Sequence, residues 1–150
     1  MKFISSRDNP FFKKMIKLSE SAQQRRTAGL TLLDGVHLVA AYHAALGPPE
    51  ALIMSESGGK SPEVKRLLDE WKSRESLSVV VLSDSLFREA SPVKTPTGIM
   101  ALVRIPSAET IFVQKRVRNE NKRGGSEGFC VLLEAIQDAG NVGSILRSAA

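Results

Sequence analysis

The sequence predicts an α/β layer fold over its first 105 residues, followed by a separate C-terminal segment. Three observations lead there. Four short apolar runs, at 30–33, 51–54, 77–82 and 99–103, alternate with helical stretches. The third of them sits in LSVVVLS, continuously apolar and β-branched, as in a strand covered on both faces. After residue 105 the pattern gives way to PSAETIFVQKRVRNENKRGGSEG, a basic run ending in Gly, Ser and Glu.

The elements follow in order. In DNPFFKKMIKLSESAQQRR, Asn9 can cap a helix whose first position suits Pro10, because the missing N–H had no partner there. Phe11, Met15, Leu18 and Ala22 follow the spacing of one buried stripe, while Lys13, Lys14 and Lys17 lie largely off it. Arg25 and Arg26 close this region, where cations favour the helix dipole. A second helix over 36–46 is stopped by Gly47 with Pro48 and Pro49 beyond it. A third over 62–73 places Val64, Leu67, Leu68 and Trp71 on one face, and a fourth over 84–90 has Ser83 as its cap.

Composition bounds the function. The 150 residues are 42% hydrophobic and 25% charged, enough for a real core. Net charge is +5, which favours a polyanionic partner without identifying it. That charge is local: Lys2, Arg7, Lys13, Lys14, Lys17, Arg25 and Arg26 face only Asp8 and Glu20 in the first 30 residues, an excess of +5. The single cysteine, Cys130, excludes an intrachain disulfide and a thiolate metal cluster. Its place in FCVLLEAI reads as packing. His37 and His43 stand six apart, not at the i, i+4 spacing of paired helical metal ligands, so no metal is expected. Tyr42 and Trp71 read as packing residues rather than base-stacking platforms. No apolar run spans a membrane, and the start MKFISSRDNPFFKK is too polar for a secretory signal. The expectation is a soluble cytoplasmic protein.

The last stretch, GFCVLLEAI then NVGSILRSAA, reads as a buried strand handing over to a helix. Asn141 caps that helix, and Gly143 lets a ligand or another backbone approach its first turn. Free N–H groups there suit a phosphate. Arg147 follows Asn141 by six residues, about 60° round the helix axis, so the two can line one surface. Taken alone, a cap and a solvent-exposed arginine would be the plainer reading.

LLEAIQDAGNVGSILRSAA resembles the first signature motif of the SpoU/TrmH branch of the SPOUT RNA ribose 2′-O-methyltransferases. It matches at Leu133, Ile136, Gln137, Asp138, Asn141, Gly143, Ile145, Arg147 and Ala149, and departs mildly at Glu134, Ala139 and Ser148. Upstream, ISSRDNPFFKKMIKL, QQRRTAGLTLLDGVHLV and TPTGIMALV are similar to the substrate-binding domain that precedes the catalytic domain in many of these enzymes. There Asp34-Gly35 stands where Glu-Gly is usual.

The resemblance implies a ribosomal-protein-like α/β sandwich at 1–105 that binds RNA and the first strand and helix of a SPOUT α/β trefoil-knot domain at 129–150; the basic run between them reads by its composition as a linker at 106–128. The knot itself and the two later motifs that build the methyl-donor pocket are not in this sequence. The implied activity of the parent is S-adenosyl-L-methionine-dependent methylation of a ribose 2′-hydroxyl in rRNA or tRNA, as a homodimer. The chain alone is expected to be inactive, with no cofactor-binding residue of its own. Asn141 and Arg147 are the implied catalytic residues, Arg147 pairing with the RNA phosphate and stabilising the hydroxyl as its proton departs; a neutral guanidine base is untenable. Candidate RNA contacts are Arg7, Asn9, Lys13, Lys14, Lys17, Arg25 and Arg26. The competing reading is a non-catalytic RNA-binding module of the same ribosomal-protein-like fold.

Overall fold

The computed structural model describes residues 1–72 and 77–107. Expectations for 108–150, including Cys130, Asn141, Arg147 and the terminal strand and helix, lie outside the described residues. Met1–Pro106 form a compact unit by themselves.

The elements are β1 (Lys2–Ile4), α1 (Pro10–Glu20), α2 (Ala22–Ala28), β2 (Leu30–Asp34), α3 (Val36–Leu46), β3 (Ala51–Ser55), α4 (Pro62–Lys72), β4 (Val79–Leu82), α5 (Asp84–Ala90) and β5 (Ile99–Arg104). A turn of 3₁₀ helix at Gly58–Lys60 precedes α4. The five strands form one sheet in the order β1-β4-β3-β5-β2. β4 pairs in parallel with β1 and β3, whereas β5 runs antiparallel to β3 and β2.

Strand alternation divides the core in two. On one face Ala51, Ile53, Val80, Leu82, Met100 and Leu102 pack with Phe12, Met15 and Leu18 of α1 and Leu86 and Phe87 of α5. On the other, Leu52, Met54, Val81, Ile99, Ala101 and Val103 pack with Val39 of α3 and Val64, Leu67, Leu68 and Trp71 of α4. All five residues of β3 are buried, because it lies mid-sheet with both faces covered. Each fully buried aliphatic side chain there contributes roughly 1.5–3 kcal/mol. Trp71 is a packing residue, stacked on His43 with ring centroids 4.0 Å apart, and the Tyr42 hydroxyl donates to the Arg104 carbonyl at 3.1 Å.

Four details differ from the sequence reading. First, the opening helix is two helices. Ser21 adopts an extended conformation and its Oγ accepts the Gln24 N–H, so a good capping residue ends α1 and starts α2. Second, the buried stripe of α1 is Phe12, Met15 and Leu18; Phe11 is only partly buried and Ala22 is exposed. Third, β1 was not foreseen: only Ile4 of its three residues is buried, so it has no period to read. Fourth, Ser83 occupies the cap position of α5 but makes no capping bond; its Oγ meets that of Ser85.

Two contacts fix the strand ends. Ser57 donates its backbone N–H (3.0 Å) and its hydroxyl (2.8 Å) to Asp84 Oδ1, tying the chain after β3 to the start of α5. Those two bonds, the N–H first, hold the Asp84 carboxyl below the ordinary aspartate value of 3.8. A depressed folded pKa adds stability that is complete above the unfolded value and lost as pH falls through the folded one. Asp84→Asn should therefore flatten the acid side of a stability-against-pH curve below about pH 4, read by urea unfolding. The second contact is between glycines: a Cβ on Gly58 would lie 2.3 Å from the Gly98 carbonyl oxygen.

Among the described residues no helix is long and apolar enough to cross a membrane, and no group of three or more His, Cys, Asp or Glu could hold a metal.

Candidate nucleic-acid interface

The basic face is built on α1 and α2. With Phe12, Met15 and Leu18 turned into the core, the 3.6-residue repeat puts Lys13, Lys14 and Lys17 on the opposite side, and all three are exposed. Asn9 starts the helix: its Oδ1 accepts the Phe11 N–H at 2.9 Å, with Pro10 next in the first turn. That oxygen serves the fold as a helix cap.

The structure sorts the other candidates into three groups. Arg7 is bound to Glu89 of α5, Nε at 2.9 Å and Nη2 at 2.8 Å. Lys13 meets Asp8 at 2.9 Å, whose carboxyl is held below the usual range by that hydrogen bond and by the ammonium charge. Both are exposed surface pairs, screened by water and salt, and open at little cost. Arg25 is different. Its Nη1 donates to the carbonyls of Leu18 (2.7 Å) and Ser19 (3.2 Å), groups left without helical partners at the end of α1. Arg25, one of the candidate RNA contacts, is thus engaged as a half-buried cap at the C-terminus of α1. Arg25→Ala should lower stability by about 1 kcal/mol, while Arg26→Ala stays within about 0.5 kcal/mol, by urea denaturation. Among the described residues Lys14, Lys17 and Arg26 are exposed and make no ion pair. They are the open positive positions of this face. Asn141 and Arg147 lie outside the described residues.

One device went unread. Asp34, at the end of β2, accepts from the Ser91 hydroxyl at 3.0 Å and from the Thr97 N–H and hydroxyl, both at 3.4 Å. It therefore grips both ends of the connection between α5 and β5. The signal was the short acidic residue before Gly35, whose φ of 103° lets the chain turn into α3.

A five-stranded mixed sheet between two helical layers, with a basic helical edge, defines an α/β domain suited to holding a polyanion. The family model of the MRM3-like substrate binding domain matches residues 9–101, and the chain belongs to that family. No curated protein matches the chain. Among solved structures it is similar to an RNA 2′-O ribose methyltransferase, with TM-score 0.68 and 22% identity over 98% of this chain and 51% of that one. It is also similar to an rRNA methyltransferase from Sinorhizobium meliloti (TM-score 0.56, 16% identity, 71% of this chain and 38% of that). A third is the SpoU methyltransferase AviRb from Streptomyces viridochromogenes (TM-score 0.53, 20% identity, 66% and 34%), also solved with AdoMet. The chain thus spans about half the length of the first of these and about a third of the others. The fold expected from the resemblance to SpoU-type enzymes, an α/β domain of the kind that begins these proteins, is the fold found.

Proposed function

We propose that this chain is the RNA-holding part of an S-adenosylmethionine-dependent RNA ribose 2′-O-methyltransferase acting on rRNA or tRNA. The observation that carries the reading is the match to a substrate-binding domain whose exposed face bears Lys14, Lys17 and Arg26. Arg7 and Lys13 join them when RNA phosphate displaces Glu89 and Asp8. Phosphate contacts of this kind position a duplex or loop without reading its sequence.

The methyl donor, when bound, supplies the transferable methyl group; the described residues are assigned none of its contacts. Asn141 and Arg147 carry the proposed work at the ribose, orienting the nucleotide and stabilising the hydroxyl as its proton leaves. A homodimeric, cytoplasmic parent enzyme belongs to the same proposal. The competing reading, a non-catalytic RNA-binding module, shares the match at 9–101.

One experiment separates them. The protein from the full open reading frame is incubated with RNA and methyl-labelled S-adenosylmethionine, and the nucleosides are analysed. A 2′-O-methyl nucleoside, lost in Arg147→Ala with RNA binding retained, is the expected result. RNA binding with no methyl transfer would leave the module.

A further inference from the structure

The connections at one end of the sheet enclose a cleft that none of the basic residues discussed above enters. It measures about 490 Å³ and is lined by Ser57, Gly58 and Ser61 on one side, Asp84 and Arg88 of α5, and Pro96 to Gly98 opposite. Pockets that hold small ligands run from about 300 to 1,000 Å³, so the space suits one nucleoside and little more.

The cleft is constructed rather than incidental. Its floor is the Gly58–Gly98 contact, where a Cβ at either position would meet the other glycine's backbone at 2.3–2.7 Å. The buried Ser55 hydroxyl, which also lines the cleft, accepts the Gly58 N–H at 2.8 Å and meets the Ser57 hydroxyl at 3.2 Å. The facing wall is held by Asp34 through Thr97.

Its chemistry is divided. Asp84 uses Oδ1 for both bonds to Ser57, which leaves Oδ2 outside those bonds as an acceptor for an N–H or O–H donor. A carboxylate there repels a bare phosphate. One turn on, the Arg88 guanidinium binds the Asp84 carbonyl through Nε at 3.3 Å, and its side chain is exposed at the rim. Its terminal nitrogens match a phosphate oxygen pair. A donor-seeking wall beside a phosphate-seeking rim matches a single nucleotide: base edge or ribose hydroxyl inward, phosphate outward. The next residue of α5, Glu89, is the partner of Arg7, and α5 packs beside α1 over the same sheet face. α5 thus links the cleft to the element that carries the lysines.

Resting on the RNA reading above, we propose that this cleft receives one unpaired nucleotide of the bound RNA, with Asp84 accepting from its base or ribose and Arg88 holding its phosphate. Proteins that recognise RNA commonly take such unstacked nucleotides, because a paired base hides its edge.

The test uses the 150-residue chain and two fluorescein-labelled RNA hairpins of equal length, one fully paired and one with a single bulged nucleotide. The bulged hairpin should bind about tenfold more tightly, the gain expected for one base held by stacking and hydrogen bonds. Arg88→Gln and Asp84→Asn, each confirmed folded by its amide spectrum, should separately bring its affinity down toward that of the paired hairpin. Amides of Ser57, Gly58, Thr97 and Gly98 should shift with the bulged RNA and not with the paired one. Equal binding of the two hairpins, or a bulge preference that survives in both variants, overturns the cleft while leaving the RNA reading intact. If neither hairpin binds at all, the RNA reading falls and the cleft falls with it.

Discussion

Gly98→Ala should cost roughly 3–5 kcal/mol of stability, the sum of a strained backbone and a forced separation of packed segments. Gly98 has φ +89°, and the added methyl would stand 2.6 Å from the Gly58 Cα, a backbone atom that cannot rotate away. The melting temperature should fall by roughly 15 °C or more for a unit of this size. Gly29→Ala is the control: its φ is +62°, yet nothing lies within 4 Å of the added carbon. It should cost only about 1–2 kcal/mol, the price of a left-handed residue alone. Thermal unfolding followed by circular dichroism separates the two. Equal losses would mean that the strand-end connections move apart freely, and the rigid cleft floor would be lost with them.

The second large effect concerns RNA. Lys14→Glu, Lys17→Glu and Arg26→Glu combined should weaken binding roughly hundredfold at low salt, taking three charge-assisted phosphate contacts at about 1 kcal/mol each. Each lost contact should reduce the slope of log K against log salt by about 0.7 to 0.9, so the triple variant loses roughly two to three units. Folding should survive, since none of the three has a described ion pair. Arg25 is left in place because its reversal would disturb the end of α1 as well as the surface charge. Fluorescence anisotropy at several salt concentrations reads both quantities. A folded triple variant with unchanged affinity and slope would remove α1 and α2 from the RNA surface.

The layered fold was legible because both faces of its central strands are covered, which gives β3, β4 and β5 long apolar runs. Punctuation marked the helices: Asn9 with Pro10 opens α1, and Gly47 closes α3. Elements without such a signal were missed. β1 is three residues with one buried, and the break at Ser21 depends on a serine that would also be tolerated on a helix surface. The lysine face followed from periodicity once the core stripe was known. The fate of individual charges did not, because Glu89 lies 82 residues from Arg7 and only the fold brings them together. The capping bonds of Arg25 were hidden for a related reason: the carbonyls it serves become unpaired only because α1 stops at Glu20. The cleft was invisible for the same cause, its walls coming from SESGGKS, DSLFR and TPTG, three segments far apart along the chain.

On the proposed function, this domain holds RNA through the basic edge formed by α1 and α2. Amide spectra of the 15N-labelled chain, recorded while a structured RNA hairpin is titrated in at 50 and 200 mM salt, test it most directly. Shifts are expected at Lys13 to Lys17 and around Arg26, with affinity falling steeply between the two salt concentrations. Shifts confined to α3 and α4, or binding indifferent to salt, would contradict it.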